Sequence, residues 1–246
     1  MIRVGVGGWT FEPWRGVFYP PKLPHARELA FAAAALTTVE VNGTFYGTIK
    51  RDSFERWADE TPGGFVFALK APRFAVNRKV LAEAGPSIER FVASGIDALG
   101  DKLGPLLWQF AATKKFDPED MARFIALLPA KAGDRPLRHA LEPRPTSFAD
   151  PAFTRMARDA GAAIVFADSD DYPRIDETTA DFTYARLQRS VETVETGYDA
   201  AALDGWATQA RTWAAGDRDD FVYFISGAKV RNPAAAQALI PRLSRQ

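Results

Sequence analysis

Eight short runs of apolar and β-branched residues recur along the chain, and segments with the periodicity of amphipathic helices separate most of them. Strands that alternate with helices pair in parallel through right-handed crossovers. Eight such units in 246 residues predict an α/β fold, a (β/α)8 barrel of the TIM type that forms a single domain over residues 1–246. The eight predicted strands are residues 2–8, 37–42, 64–70, 104–110, 138–144, 162–168, 181–188 and 221–226.

The predicted helices fit the same arrangement. Two of them begin with Asp-Pro, at Asp117 and Asp150, where the aspartate caps the helix and the proline takes the first helical position. The connection between the sixth and seventh strands is irregular, because its sequence is too polar and too short for a good helix. A doubly wound nucleotide-binding sheet is disfavoured, since "VGVGGW" lacks the third glycine of a phosphate loop. The clearest helical segments are residues 86–99, 117–129, 150–161 and 199–214.

Composition argues against several classes of function. Lysine and arginine together number 31, as do aspartate and glutamate, so no net charge attracts polyanions and a dedicated nucleic-acid-binding protein is disfavoured. The absence of cysteine excludes disulfides and thiolate metal sites. The sequence shows neither a basic-then-apolar leader nor an apolar run of membrane-spanning length. We therefore expect a cytoplasmic protein without a membrane partner.

Polar residues close six consecutive predicted strands, from the second to the seventh. In barrels of this type the carboxyl ends of the strands form the reactive face. Side chains alternate along a strand, so we expect Val39 and Val41 to face the helices and Glu40 to face the mouth of the barrel. The polar residues at the strand ends are Glu40, Asn42, Lys70, Gln109, Glu142, Arg144, Asp168 and Arg186.

Two interpretations of these charges compete. Barrel interiors often contain a polar layer, in which the charges only neutralise one another, because an unpaired buried charge costs several kcal/mol. Alternatively the residues line a ligand site, because this architecture binds ligands at this rim. Polar groups at six consecutive strand ends favour the ligand site.

Two loops supply further candidate ligand contacts. The aromatic segment at residues 7–21 contains Trp9 and Trp14, which either stack on a flat ligand or seal the barrel by packing on the segment around Tyr46. The loop at residues 70–79 concentrates basic residues, among them Arg73, that suit phosphate or carboxylate recognition. Alternatively, these basic residues only occupy a solvated turn.

Metal and nucleophile motifs are scarce. The two histidines, His25 and His139, fall before the first helix and at the start of the fifth strand, so a histidine-rich metal site and a serine–histidine–acid arrangement are disfavoured. Asp168, Asp170 and Asp171 form a weak candidate site for magnesium, although charge runs of this kind are usually solvated loops. No other cofactor is predicted.

Four stretches, "GGWTFEPWRGVFYP", "TTVEVNGTFY", "FVFALKAPR" and "KLGPLLWQF", resemble the YecE-like family, a domain of unknown function found in bacteria and archaea. The resemblance implies a (β/α)8-type barrel and no established activity. A likeness of that family to endonuclease-four-type barrels suggests nucleic-acid or sugar chemistry, but a fold does not determine a function. The matching residues are Trp9, Trp14, Gly16, Phe18, Tyr19, Glu40, Asn42, Phe45, Tyr46, Lys70, Arg73, Gln109, Glu142, Arg144 and Arg186.

The chain departs from the family pattern where histidines or asparagines are usual. Either histidine is not the essential proton carrier of the family, or this member has altered or lost its activity. The departures also weaken the transfer of a metal mechanism from endonuclease-like barrels, which rely on histidine ligands. The substituted positions are Val76-Asn77, Pro145, Gln188-Arg189 and Ile225-Ser226.

Three functions follow as hypotheses. The first is an enzyme, a hydrolase or a lyase, whose small polar substrate carries an anionic group bound by Lys70, Arg144 and Arg186. Glu142 or Glu40 then acts as general acid or base, with a pKa raised by burial and by neighbouring like charges. The second is a nucleic-acid-binding barrel whose basic loops contact phosphates. The third is a small-molecule binder without catalysis.

Overall fold

All eight predicted strands form in the computed structural model, which describes residues 1–244. The strands are β1 (Ile2–Gly7), β2 (Thr38–Val41), β3 (Val66–Lys70), β4 (Leu103–Gln109), β5 (Lys131–Ala132), β6 (Arg135–Pro136), β7 (His139–Glu142), β8 (Ala163–Ile164), β9 (Phe166–Asp168), β10 (Phe182–Leu187) and β11 (Asp219–Phe224). Nine of them form one parallel sheet in the order β8-β7-β4-β3-β2-β1-β11-β10-β9. The short hairpin of β5 and β6 is antiparallel.

The sixth predicted strand is divided into β8 and β9 at Val165. β8 pairs with β7 and β9 pairs with β10, while the N–H of Val165 still donates to the carbonyl of Leu141 at 2.9 Å. Because β8 and β9 are consecutive in the chain, the sheet curves round into a nearly closed barrel. The predicted TIM-type fold is thus confirmed. The connection from β9 to β10 is irregular, as predicted.

The helices cover the outside of the barrel. Asp117 and Asp150 accept hydrogen bonds from backbone N–H groups at the starts of two of them, as the Asp-Pro pairs predict. The helix predicted at residues 86–99 ends earlier, at Val92, and Gly95 then turns the chain with a left-handed φ of 101°. No helix within residues 1–244 has the length and apolar character of a membrane span. The helices are α1 (Glu28–Ala35), α2 (Gly43–Tyr46), α3 (Arg51–Asp59), α4 (Arg73–Val76), α5 (Gly85–Val92), α6 (Pro118–Ala126), α7 (Pro151–Asp159), α8 (Ala200–Trp213) and α9 (Asn232–Leu243).

Apolar side chains fill both sides of the sheet. Val39 and Val41 pack in the layer between the sheet and the helices, as their alternation predicts, while β10 and β11 fill the interior mainly with aromatic rings. β1 and β2 approach each other closely at Gly5, which pairs with Thr38. A Cβ atom on Gly5 would lie 1.9 Å from the carbonyl oxygen of Thr38, so the close approach of β1 to β2 requires glycine.

Two adjacent aspartates at the amino end of β11 occupy opposite electrostatic environments. Asp219 accepts hydrogen bonds from Arg3 at 3.1 Å and from Arg138 at 2.8 Å. Burial alone raises the pKa of Asp219, but its cationic partners outweigh burial and lower it. Asp220 is fully buried, with one carboxylate oxygen bonded to the Thr183 hydroxyl and the other without a hydrogen-bond partner among the described residues. Burial raises the pKa of Asp220 to about 7.

Asp220→Asn is expected to stabilise the protein more at pH 8 than at pH 5. The folded carboxyl group keeps its proton up to about pH 7, whereas the unfolded one loses it at about pH 4. Wild-type stability therefore falls as the pH rises through this window, and the cost of the buried charge is complete above it. Asparagine removes the charge and keeps an acceptor for Thr183. Urea unfolding should show a gain larger by about 1–3 kcal/mol at pH 8.

Asp219→Asn is the matched control. The pKa of Asp219 is lowered, so its stabilising contribution is complete above about pH 4. This variant is expected to lose a similar free energy of unfolding at both pH values. A gain in Asp220→Asn that does not change with pH would contradict the assignment.

Candidate functional site

A hollow of about 470 Å³ opens at the carboxyl end of the barrel strands. Small-molecule sites commonly enclose roughly 300–1,000 Å³. Its walls come from the loop after β1, the ends of β2, β3 and β10, and the segments that follow β7 and β11. The lining residues are Gly7, Gly8, Trp9, Thr10, Phe11, Val41, Asn42, Gly43, Tyr46, Ile49, Trp57, Lys70, Arg144, Arg186, Ile225, Ser226, Lys229 and Asn232.

Arg186 joins two buried carboxylates behind the hollow, and we call Glu40, Glu142 and Arg186 the buried ion network. The Nε and Nη2 atoms of Arg186 donate to the two carboxylate oxygens of Glu40, each at 3.0 Å. Its Nη1 donates to both carboxylate oxygens of Glu142 at 2.7 Å. Both glutamates are 0% exposed. Arg186 alone reaches the hollow, so these three residues fit the interpretation of a neutralising network.

Two uncharged side chains complete the buried ion network. The Tyr184 hydroxyl donates to Glu40 at 2.8 Å, and the Gln109 amide donates to Glu142 at 2.8 Å. Gln109 is one of the predicted strand-end residues, but it does not line the hollow. Tyr184 was not predicted. It lies two residues before Arg186 on the same face of β10, so strand alternation is the signal that identifies it.

Glu142 stays ionised in this environment. Burial by itself raises its pKa, but the charges of Arg186 and Arg144 and the hydrogen bond from Gln109 outweigh burial and lower it. The expectation of a raised pKa is therefore wrong for Glu142. A carboxylate held in its charged form has no proton to donate near neutral pH, and both of its oxygens already accept hydrogen bonds.

Lys70 ends β3 and lines the hollow without an anionic partner. Its Nζ lies 4.3 Å from the centroid of the Phe45 ring. This amine makes no hydrogen bond or ion pair with any described residue. Burial lowers the pKa of Lys70 to about 8, and the positive charge of Arg186 adds to the effect. An amine with this pKa exchanges protons near neutral pH.

Arg144 and Lys229 add two more cations to the walls. The Arg144 guanidinium lies 4.5 Å from the centroid of the Tyr172 ring, and its buried Nε has no hydrogen-bond partner in the described part of the chain. The Nζ of Lys229 lies 4.1 Å from the centroid of the Phe11 ring. Neither side chain forms an ion pair within residues 1–244. Together with Lys70, these cations outweigh the single net negative charge of the buried ion network.

The segment after β11 brings to the hollow two residues that the strand-end pattern omits, Ser226 and Lys229. Ser226 has a φ of 53°, a left-handed conformation that is uncommon for serine. Its carbonyl accepts a hydrogen bond from the Asn232 amide at 3.1 Å. The Ser-Gly pair at 226–227 is the local signal of this turn.

Of the loop residues predicted to contact a ligand, some line the hollow and others lie outside it. Trp9 and Tyr46 line the hollow, and Tyr46 is 68% exposed. Trp14 is fully buried in the apolar layer outside the barrel, where its indole N–H donates to the carbonyl of Lys229 at 2.8 Å. Trp14 therefore supports the wall and does not face a ligand. Arg73 is exposed on α4, outside the hollow.

The acidic run after β9 does not assemble the predicted magnesium site from Asp168, Asp170 and Asp171. Arg189 forms an ion pair with Asp170, and its Nε lies 3.7 Å from Asp168. Across residues 1–244, no group of three or more acidic, histidine or cysteine side chains is placed to hold a metal ion. His139 begins β7, at the end of that strand opposite the hollow, as predicted.

Comparison with known sequences identifies the family. The model of a family described as "Protein of unknown function DUF72" matches residues 3–246. The chain belongs to the DUF72 family. This agrees with the resemblance of its motifs to the YecE-like family.

Individual relatives of this DUF72 chain are distant in sequence. A crystal structure of a DUF72 family protein from Thermotoga maritima MSB8 is similar over 100% of both chains, with a TM-score of 0.83 and 24% identity. The crystal structure of SacUVDE is similar over 99% of this chain and 98% of that chain, with a TM-score of 0.61 and 10% identity. These likenesses show the fold alone. The UPF0759 protein YunF of Bacillus subtilis (strain 168) is 32% identical over 71 residues, which are 29% of this chain and 24% of YunF.

The departures from the DUF72 motifs fall both inside and outside the hollow. Ile225 and Ser226 line it. Val76 is fully buried in the helix layer, and Gln188 does not line the hollow. In this DUF72 member the charged side chains that line the hollow are all lysines and arginines, namely Lys70, Arg144, Arg186 and Lys229.

Proposed function

We propose that this DUF72 chain is an enzyme that binds a small polar anion, a molecule with a carboxylate or phosphate group, and uses Lys70 as its proton-transfer group. One observation carries the proposal. Lys70, Arg144 and Lys229 line the same hollow, and none has an anionic partner within the described residues. Several cations that lack an anionic partner and line the same hollow favour an anionic ligand.

The buried ion network has a supporting function in this proposal. Each of the three guanidinium nitrogens of Arg186 already donates to a carboxylate, so anion binding falls to the other three cations. Within the network, the positive charge of Arg186 helps burial to lower the pKa of Lys70, and the charges of Glu40 and Glu142 oppose that shift without reversing it. Glu40 and Glu142 are positioning residues rather than the general acid and base of the reaction.

Lys70 is the titrating group of the hollow. With a pKa of about 8, about a tenth of the side chain is a neutral amine at pH 7. Such a group accepts a proton from a carbon beside a carbonyl, or donates one to a leaving group, as lyases and hydrolases require. Trp9 supplies an apolar wall to the same hollow.

Arg144→Gln is expected to weaken the binding of glycerol 3-phosphate about three- to tenfold, because it removes one of three unpaired cations. Isothermal titration calorimetry at fixed ionic strength measures the change. Arg155→Gln makes the same substitution on an exposed site of α7, outside the hollow, and should leave the affinity unchanged. Binding no tighter than that of neutral glycerol would contradict the anion site. A single-stranded oligonucleotide that binds more tightly, with steep salt dependence, would support the nucleic-acid hypothesis instead.

Turnover requires a separate test. Wild-type protein and Lys70→Met are incubated with the same extract of cellular metabolites, and mass spectrometry follows the consumption of each compound. We expect an anionic metabolite to be consumed by the wild type alone. Retention of a metabolite without conversion would indicate a binding protein rather than an enzyme.

A further inference from the structure

We infer that Lys70 is a covalent nucleophile whose amine forms a Schiff base with a carbonyl group of the bound anion. The substrate class is then a small aldehyde or ketone that also carries a carboxylate or a phosphate. The inference rests on the anion site proposed above and adds a covalent step to it.

The first support is that no carboxylate holds the amine of Lys70. Glu40 and Glu142 are the nearby acidic groups whose charges act on it. All four of their carboxylate oxygens already accept hydrogen bonds from other side chains, and two of the four accept from Arg186 together with an uncharged side chain. The Nζ of Lys70 therefore remains available to a ligand.

The second support is the environment of Lys70 itself. The side chain is 8% exposed, the Phe45 ring covers its amine at 4.3 Å, and Arg186 places a like charge nearby. Burial and a neighbouring cation are the two conditions that convert a lysine into a nucleophile near neutral pH. Both lower the pKa of Lys70, to about 8.

The third support is the position of the other cations. Arg144 and Lys229 line the same hollow as Lys70 and would hold the anionic group of the substrate. A cavity of about 470 Å³ accommodates a molecule with both a carbonyl and an anionic group. A substrate whose anionic group binds at these cations while its carbonyl group contacts Lys70 would make the addition effectively intramolecular.

The covalent step balances without an oxidant or a reductant. The lone pair of the neutral amine forms a nitrogen–carbon bond with the carbonyl carbon as the carbonyl π bond breaks, and a proton passes from the nitrogen to the oxygen to give a carbinolamine. The carbinolamine loses its oxygen as water and becomes the imine. Hydrolysis reverses these steps: water adds to the carbon of the protonated imine, the amine leaves, and both Lys70 and the carbonyl compound are regenerated.

Borohydride trapping tests this step. Wild-type protein is incubated with glyceraldehyde 3-phosphate or with pyruvate and then treated with sodium borohydride, which reduces an imine to a stable secondary amine. Peptide mass spectrometry should locate the adduct on Lys70 in at least tenfold excess over the exposed Lys131. Glycerol 3-phosphate and L-lactate, which are similar anions without the carbonyl, should suppress the adduct when added in excess.

Two variants and one binding measurement separate the outcomes. Lys70→Arg keeps the positive charge but cannot form an imine and should lose the adduct, whereas Lys131→Arg should keep it. An adduct on Lys229, or one spread evenly over the exposed lysines, would overturn the inference. If glycerol 3-phosphate binds to wild-type protein and no adduct forms, the covalent step is wrong and the anion site stands. If neither binding nor an adduct is found, both proposals are wrong.

Discussion

Replacing Arg186 by methionine is expected to destabilise the protein by about 3–5 kcal/mol, because the substitution leaves two buried carboxylates without a counter-charge. Glu40 and Glu142 are both 0% exposed, so water cannot replace the guanidinium. Methionine fills a similar length without offering a hydrogen-bond donor. Urea unfolding followed by circular dichroism at pH 7 measures the loss.

The matched control for Arg186→Met adds Glu40→Gln and Glu142→Gln to the same chain. Glutamine carries no charge, so the triple variant should recover at least about half of the lost stability. In the single variant the two carboxylates become buried without a counter-charge, which favours their protonated forms. Its deficit should therefore shrink as the pH falls. A deficit below about 1 kcal/mol, or one insensitive to the two glutamine substitutions, would show that Arg186 is not the counter-charge that the buried carboxylates require.

Lys70→Met is expected to have opposite effects on ligand binding and on stability. The affinity for glycerol 3-phosphate at pH 7 should fall about 10- to 100-fold, because a poorly solvated cation is removed from the site. The free energy of unfolding should rise by about 1–3 kcal/mol at the same pH, since the fold disfavours the charged form of this lysine. Calorimetry and urea unfolding measure the two effects on the same preparation.

The pH dependence of the ligand affinity and of the free energy of unfolding follows from the lowered pKa of Lys70, which is about 8 in the folded chain. Between this value and an unfolded pKa of about 10.4, the unfolded chain binds more protons. Wild-type stability therefore gains a contribution as the pH rises through this window, and the advantage of Lys70→Met disappears above it. Anion affinity in the wild type should fall as the pH rises above about 8, because Lys70 loses its charge, and this fall should be absent in Lys70→Met.

A purely structural lysine would behave differently. Its removal would lower stability, and any loss of binding would follow from partial unfolding. Parallel losses of affinity and stability in Lys70→Met would thus contradict both the anion site and the lowered pKa.

The sequence predicts the barrel well because its signals act over a few residues. The alternation of Val39, Glu40 and Val41 assigns each side chain to one face of a strand, and the Asp-Pro pairs at 117 and 150 mark helix starts by local capping. The same alternation predicts that polar groups gather at the carboxyl ends of the strands. It also contains the signal for Tyr184, on the same face as Arg186.

The pairing of the charges could not be predicted in this way. Arg186 is separated from Glu40 by 146 positions and from Glu142 by 44, and their contact depends on strand register and barrel curvature. The direction of the Glu142 pKa shift depends in turn on that contact, which is why burial alone predicts the wrong sign. Trp14 presents a similar difficulty, since an aromatic loop residue either packs or binds according to which side of the first strand it occupies.

The sequence by itself determined the parallel barrel and the end of it at which its polar residues meet, because strand alternation and helix capping are short-range effects. The tertiary structure alone decided that Arg186 pairs with the two buried carboxylates and that Lys70 has no anionic partner within residues 1–244. That outcome depends on distances between side chains from strands far apart in the chain, and on the exclusion of water around them.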